Sequence, residues 1–525
     1  MPQTPRDLAT DLPQRRVGST DMSDWTPSFA GYPGAAIVEF YKNKKGETKK
    51  RTIKHLLWGD WLLVGKTKKE GLVQAYSRGK VGFVDPASLT QKRVLEIVFV
   101  DIGQGDGCLI VTPDDEHIVI DAGEEDNMYR FLNWRYGRFK KRFEFEALVV
   151  SHPDQDHYKG FGEFFDEAAH PNVKNIKFKK MYHNGIVERK AKSSLGPKVK
   201  IGGKTHISGL VQTTDDLEDF LSVESRWKGK QYPTLLSDML ASKRVKDFQS
   251  LSVEDGHLPG FEEDKPVSIQ VLGPVPAQRS NGETCLKWLS SVGKTKNGHS
   301  LVLKLQYENI SVLLGGDLNV PAEHLLLRHH TGLDSPAKGT DEHETLVRAA
   351  REVFQVDIAK ACHHGSADFT SVFLESLNPL ATVISSGDDE PHSHPRAETL
   401  GAIGLLSRGP RPLIFSTELA RSTKERIKHP SVVRKQFHAA HDKLVELESD
   451  PDATEKEIER AQKVFDDLVD DIERSVAVYG AINVRTDGKR VVFAQKVERG
   501  SGKWDTYRLE PQGSSKVLEY VSKHS

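Results

Sequence analysis

Two rhythms of apolar residues divide the chain. Between Ala35 and Leu89 they come in short runs, "AAIVEFYKN", "TIKHLLWGDWLLVGKT" and "LVQAYSRGKVGFVDPASL", separated by Gly, Asp and Asn-Lys turns. That spacing predicts the strands of a small β-barrel. From Leu95 the runs become nearly all apolar: "LEIVFVDIG", "CLIVTP", "HIVIDAG", "EALVVSH", "VSIQVLG", "SLVLKLQYENISVLLGGD", "VDIAKACHHG", "ATVISSGD" and "PLIFST". A strand buried on both faces reads as a continuous apolar run, whereas a half-exposed strand alternates. Helical patterns such as "PAEHLLLRHH", "HETLVRAAREVF" and "AETLGAIGLLSRG" lie between these runs. Together they predict a layered α/β unit with sheets inside and helices outside.

Two stretches interrupt this pattern. Residues 184–262 are polar and Gly-rich, then helical around "DDLEDFLSVESRW" and "YPTLLSDMLASKRVKDF". Residues 418–475 carry apolar residues three and four apart with alternating charges and one "SDPDAT" break, which predicts a helical hairpin. A "TDGK" turn in "INVRTDGKRVVFAQKV" then predicts a β-hairpin. The expected organisation is a flexible tail over 1–30, a barrel over 31–92, an α/β domain over 93–500 with insertions 184–262 and 418–475, and a tail over 501–525.

Composition narrows the class. Across 525 residues, 74 Lys and Arg nearly balance 75 Asp and Glu, so any nucleic-acid surface must be local. Cys108, Cys285 and Cys362 lie far apart with no paired spacing, against both a disulfide framework and a zinc ribbon. No segment has the roughly 20 apolar residues of a membrane span, and the start lacks a signal-like apolar core. A cytoplasmic protein with no membrane association is expected.

The chemistry lies where apolar strands stop. His152, Asp154, Asp156 and His157 follow "ALVV" in "SHPDQDHYKGF"; Asp317 follows "SVLLGG"; His363 and His364 follow "DIAKAC"; His394 comes shortly after "VISS". In α/β folds, side chains from several strand ends converge on one rim. Imidazole and carboxylate are ligands for divalent first-row ions, and carboxylate also suits harder ones. The His-x-Asp-x-Asp-His loop can supply two ligands to each of two ions, with Asp317 bridging them. Such a pair activates a water and holds a phosphate or carbonyl oxygen.

In order along the chain, "VFVDIGQGDGCLIV", "HIVIDAG", "SHPDQDHYKGF", "NGHSLVLKLQYENISVLLGGD", "KACHHGS" and "VISSGDDEPHSHP" resemble the metallo-β-lactamase superfamily, most of all its ComEC-type, competence-protein-like bacterial branch. The resemblance runs from about Leu95 to Lys496, apart from the two insertions. It implies an αβ/βα sandwich and one or two divalent ions, Zn²⁺ or Mn²⁺, with Mg²⁺ also compatible. The metal loop becomes His152, Asp154, Asp156 and His157, with Asp154 where the superfamily has a second histidine. Asp317 matches the bridging aspartate and His364, with His363 as the alternative, the later histidine. The superfamily's intervening histidine has no clear counterpart among His183, His206, His257 and His299. Asp156 and His394 are the catalytic candidates, His394 as a proton donor or phosphate contact. Asp121 is expected to hold the metal loop by hydrogen bonding, and "DIGQGDG" (Asp101, Gln104, Asp106) to support the floor of the site. The "GKVGFVDPASL" end of the barrel resembles a bacterial SH3-like domain.

The branch implied by the resemblance acts on nucleic acid, so the leading expectation is a phosphodiesterase or nuclease acting on DNA or RNA. Residues 172–204 carry ten Lys or Arg against one Glu, and "WRYGRFKKRF" adds basic residues among aromatics. Lys177, Lys179 and Lys180 are the candidate backbone contacts. The alternatives are hydrolysis of a small molecule, such as a cyclic nucleotide, acyl ester or lactone, and an assembly module with a vestigial site. In the last, the SH3-like domain or the hairpin would recruit a protein partner.

Overall fold

The long apolar runs form strands covered on both faces, which accounts for their composition. They are seen in a computed structural model that describes residues 22, 24–336, 338–387, 393–417, 430–450, 452–477, 480–496, 504–513 and 517–522. Among these residues, a ten-stranded sheet runs in the order Phe248–Ser250, Ile176–His183, Phe143–Val149, His117–Ala122, Gly107–Val111, Leu95–Phe99, Ile482–Thr486, Val491–Lys496, Trp504–Pro511, Leu518–Val521. A six-stranded sheet runs Val267–Gly273, Val302–Tyr307, Ile310–Leu314, Ile358–Lys360, Ala381–Ile384, Leu413–Ser416.

The two sheets share one core. Ile97, Ile110, Ile120 and Val149 of the larger pack with Leu303, Val312, Leu314 and Val383 of the smaller. Each large apolar side chain buried there contributes about 1.5–3 kcal/mol. Helices Asn127–Arg135, Thr214–Ser222 and Gln231–Ser242 cover the outer face of the larger sheet through Phe131, Leu132, Phe220 and Leu236. Helices Val320–Thr331, Asp341–Phe354 and Ser371–Leu377 cover the smaller through Leu326, Leu346, Ala350 and Phe373. The layers are therefore helix, sheet, sheet, helix.

Strand direction places the chemistry. His117–Ala122, Phe143–Val149, Ile176–His183 and Phe248–Ser250 are parallel, as are Ile310–Leu314, Ile358–Lys360, Ala381–Ile384 and Leu413–Ser416. Within each set the carboxyl ends share one edge, and the acid- and imidazole-rich segments leave from those edges.

The N-terminal region is a curled, seven-stranded antiparallel sheet around Ala30, Ile37, Leu56, Leu62, Val73, Ala75 and Val84. It begins with strand Thr26–Ala30, inside the span expected to be a tail. Trp58 of this sheet clusters with Val94 and Val492, and Tyr32 meets Trp58 edge-on at 5.0 Å. A buried ionic cluster lies beneath. Arg135 donates to both Glu96 oxygens at 2.8 and 2.6 Å, and Arg485 reaches Glu96 at 2.8 Å and Asp60 at 3.4 Å.

Two expectations are revised. The tail expected over 501–525 contains strands Trp504–Pro511, antiparallel to Val491–Lys496, and Leu518–Val521, antiparallel to Trp504–Pro511, which extend the larger sheet. Their sequence is polar because they sit at the sheet's end, half covered. The 184–262 segment is not self-contained. Phe248–Ser250 is an edge strand of the main sheet, and Lys198–Ile201 and Lys204–Ile207 join Thr284–Lys287 and Pro276–Gln278 in a separate sheet. Pairing across so many residues leaves no local signal. In the 418–475 segment, residues 418–429 lie outside the described residues; helices Pro430–Ser449 and Glu455–Ala477 follow, with His441 and Phe465 rings 5.8 Å apart.

Candidate metal centre

The segment leaving strand Phe143–Val149 turns immediately into the short helix Gln155–Tyr158, which fixes His157. The "DIGQGDG" turn braces it from below. Gly105, with φ at 106°, lies so close to the Asp156 carbonyl that a Cβ would come within 1.7 Å of it. Only glycine fits there. The adjacent Asp106 N–H donates to the same carbonyl at 3.2 Å. Across the rim, His363 and His364 both adopt the left-handed region, φ 50° and 52°. Such backbone costs about 1–3 kcal/mol per residue and concentrates at functional sites.

One ligand atom each from Asp156, His157, Asp317 and His364 falls within 4.8 Å of the others. Asp317 is the hub. Its Oδ1 lies 3.4 Å from His157 Nε2, and its Oδ2 lies 3.4 Å from His364 Nε2 and 3.8 Å from His363 Nε2. Asp156 Oδ2 is 3.4 Å from His364 Nε2. His152 Nε2 is 3.9 Å from Asp317 Oδ2.

The far sides of the imidazoles set their tautomers. His157 Nδ1–H donates to Asp121 at 2.9 Å, while Ser151 donates to the same carboxylate from N and Oγ, each at 2.7 Å. Asp121 therefore holds the metal loop, as the sequence led us to expect. His364 Nδ1–H donates to the Ser385 carbonyl at 3.1 Å and also faces Asp106 at 3.3 Å. His152 Nδ1 lies 3.2 Å from Ser151 Oγ and 3.3 Å from Ser300 Oγ. With Nδ1 occupied in all three rings, each Nε2 is left to face the cluster, the arrangement seen for imidazoles bound to metals.

Those inward atoms are orphans. His152, His157 and His364 Nε2 and Asp317 Oδ1 are buried without a hydrogen-bond partner. Unpaired buried polar atoms are costly, and the three of them on His157, His364 and Asp317 converge with Asp156 in a group that fits a divalent cation. The charges agree. Burial disfavours protonated His157 and His364, yet Asp317 and the other carboxylates outweigh it and hold both pKa values well above the ordinary histidine range. Burial likewise opposes ionised Asp317, but the neighbouring imidazoles keep it well below the usual carboxylate range. A cation entering here would displace those protons.

Two lysines escaped the sequence reading. Lys360, fully buried at the end of strand Ile358–Lys360, pairs with Asp106 and donates to the Gly316 carbonyl at 3.2 Å. Lys296, on the turn of helix Val292–Gly298, pairs with Asp154 and lies 3.6 Å from Glu188. The one available clue was a lysine closing the apolar run "DIAK"; Lys296 left none.

The remaining candidates are placed as follows. Asp154 stays outside the four-residue cluster, held by Lys296, with its Oδ2 3.6 Å from His152 Nε2. His394 stands beside the cluster, its ring 5.6 Å from that of His363. None of the four histidines considered for the intervening ligand belongs to the cluster. His299 Nε2 bonds the Lys287 carbonyl at 2.7 Å and His206 Nδ1 the Lys204 carbonyl at 3.0 Å. His183 is fully buried, and His257 forms an isolated bridge with Gln270. Lys177, Lys179 and Lys180 are not brought to the metal loop. They lie on strand Ile176–His183, whose carboxyl end faces the site, so Lys177 is about 20 Å and Lys180 about 10 Å back along the strand. Lys179 pairs with Glu146, and Lys180 with Asp247 at 3.4 Å. Two of the ten basic residues over 172–204 are therefore paired with acids on neighbouring segments.

A two-sheet sandwich with histidines and aspartates converging at its rim defines a metal-dependent hydrolase architecture. The family model of the metallo-beta-lactamase superfamily matches residues 103–365, half of the chain, and the chain belongs to that superfamily. Among solved structures, "Crystal structure of Tm1679, a metal-dependent hydrolase of the beta-lactamase superfamily" is 14% identical, covering 61% of this chain and 95% of that one, with a TM-score of 0.27. No curated protein matches the chain. Among the described residues, no helix is long and apolar enough to cross a membrane.

Proposed function

We propose that the chain is a metal-dependent phosphodiesterase of the ComEC-type branch, a nuclease whose substrate strand lies across the rim of the sandwich. The observation that carries this reading is the placement of the ligand cluster. The cavity bounded by Asp106, Asp121, Ser151 and Lys360, residues that back the ligands, is about 20 Å³ and too small for a substrate. A cavity of about 300 Å³ does exist in the insertion wall, but none of the cluster residues line it. A site presented at a rim suits a polymer, whereas small-molecule sites are usually concave pockets of several hundred Å³.

In this reading Asp156, His157, Asp317 and His364 hold the cation, and Asp121, Asp106 and Ser385 fix the imidazoles that bind it. A bound divalent ion supplies Lewis acidity, lowering the pKa of a water and drawing charge from a phosphate oxygen. His394, beside His363, stands where a side chain can donate a proton to the departing oxygen. The curled N-terminal sheet is read as the SH3-like module, with a protein-docking role; Zn²⁺ and Mn²⁺ are the favoured ions.

The test is cleavage of labelled single- and double-stranded DNA and RNA with Mn²⁺, Mg²⁺ or Zn²⁺, with EDTA, and with Asp156→Ala. Cleavage that needs metal and disappears in the variant is expected. Metal uptake with no cleavage of any polymer would refute the nuclease assignment.

A further inference from the structure

We propose that this chain binds a single divalent cation, and that the ammonium of Lys296 stands where the metal loop would otherwise hold a second. The inference rests on the reading of the Asp156, His157, Asp317 and His364 cluster as a cation site, and it deepens that reading.

Asp154 and Asp156 are the same residue type two positions apart on one loop, and the structure gives them opposite surroundings. Asp156 turns toward Asp317 and His364. Asp154 turns toward helix Val292–Gly298, and both of its oxygens are engaged there. Lys296 Nζ pairs with Oδ1, and the Asn297 side chain, turned with its amide nitrogen toward the loop, donates to Oδ2 at 2.8 Å. Lys296 is held in turn by Glu188 at 3.6 Å and the Pro153 carbonyl at 3.4 Å, and its side chain is only 14% exposed. An ammonium in such a cage has acceptors on several sides, unlike a surface lysine. His152 Nε2 completes this half of the rim, 3.6 Å from Asp154 Oδ2 and 3.9 Å from Asp317 Oδ2.

This half thus has an imidazole and carboxylates, the makings of a second site, with a positive charge already built in. A dication here would sit a few ångströms from the ammonium, in surroundings where water screens poorly. It would also have to take Asp154 from both Lys296 and Asn297. In the four-residue cluster the nearest ammonium, that of Lys360, pairs with Asp106 and stays 3.9 Å from Asp317 Oδ1, and among the described residues no lysine engages Asp156 as Lys296 engages Asp154. Single occupancy follows from that asymmetry. The fixed ammonium also places a permanent positive charge beside the bound ion.

The experiment is metal stoichiometry on the full chain, by titration calorimetry with Mn²⁺ and Zn²⁺ and by metal analysis after dialysis, with melting curves to verify folding. One ion per chain is expected for the wild type and two for Lys296→Met, where an uncharged side chain of similar length releases Asp154. Asp154→Asn should retain the ion with affinity within about threefold of wild type. Asp156→Ala should lose it. Two ions in the wild type, one in folded Lys296→Met, or loss of the ion in Asp154→Asn would each overturn the proposal. No ion in the wild type would instead refute the metal reading beneath it.

Discussion

Two buried ionic clusters in this molecule look alike by burial and differ in closure. Around Glu96, the Arg135 guanidinium caps both carboxylate oxygens and Arg485 joins Glu96 to Asp60. The charges of that cluster are paired from within, with Arg485 Nε its one unpartnered side-chain atom among the described residues, and they tie the N-terminal sheet to the sandwich. Around Asp317, carboxylates and imidazoles attract one another from 3.4–3.9 Å but leave three Nε2 atoms and one carboxylate oxygen without a hydrogen bond. Burial of charge alone therefore does not mark a functional site. Charge arranged so that something is missing does.

The largest effect expected from this contrast comes from Asp317→Ala. Loss of the hub should weaken Mn²⁺ and Zn²⁺ binding by more than about 100-fold, beyond the 10- to 100-fold typical of outer partners, with hydrolysis falling below detection. Calorimetry and cleavage assays check this. The apo protein's melting temperature should change little, because the cluster is not what holds the fold together.

Glu96→Ala should do the reverse. It leaves Arg135 and Arg485 buried without their shared carboxylate and should cost about 3–5 kcal/mol in denaturant unfolding, with metal binding unaltered. The same group gives a pH signature. Burial opposes the ionised Glu96 carboxyl, but Arg135 and Arg485 prevail and bring its pKa from the ordinary 4.5 down to about 2. A depressed carboxyl pKa stabilises the fold fully above pH 4.5, and that stabilisation, about 3 kcal/mol, is lost as pH falls toward 2. Unfolding measured across this window should show a steeper pH slope in the wild type than in Glu96→Gln. Equal slopes would remove the cluster from the account of stability.

The smallest effect should come from Asp121→Asn, which keeps the shape but weakens the hold on His157 and Ser151. Metal affinity should fall about 10- to 100-fold, with the fold intact. A variant that binds metal like the wild type would mean that His157 is positioned by packing alone.

Much of this site was legible in the sequence, for one physical reason. His152, His157, Asp317 and His364 each follow a strand apolar enough to be recognised, and parallel strands bring their carboxyl ends to one edge. Asp121 could be read as a support because it closes "HIVID" beside the loop. Asp154 could not be told from Asp156, since the difference lies in Lys296, which is distant along the chain and unremarkable in its own context. The pairing of Lys179 and Lys180 was not legible, because a local count of charge ignores Glu146 and Asp247, which lie far from them along the chain. The "TDGK" hairpin was visible because its signal is local, and it forms between Ile482–Thr486 and Val491–Lys496. The C-terminal strands were not, because their pairing at the end of a large sheet asks little of their own residues.

The most direct test of the central claim is a crystal soaked in Mn²⁺ and an anomalous difference map. The account predicts one strong peak bounded by Asp156, His157, Asp317 and His364, with Lys296 still on Asp154. A map with no peak there, or with the ion on Asp154 and Lys296 displaced, would contradict it.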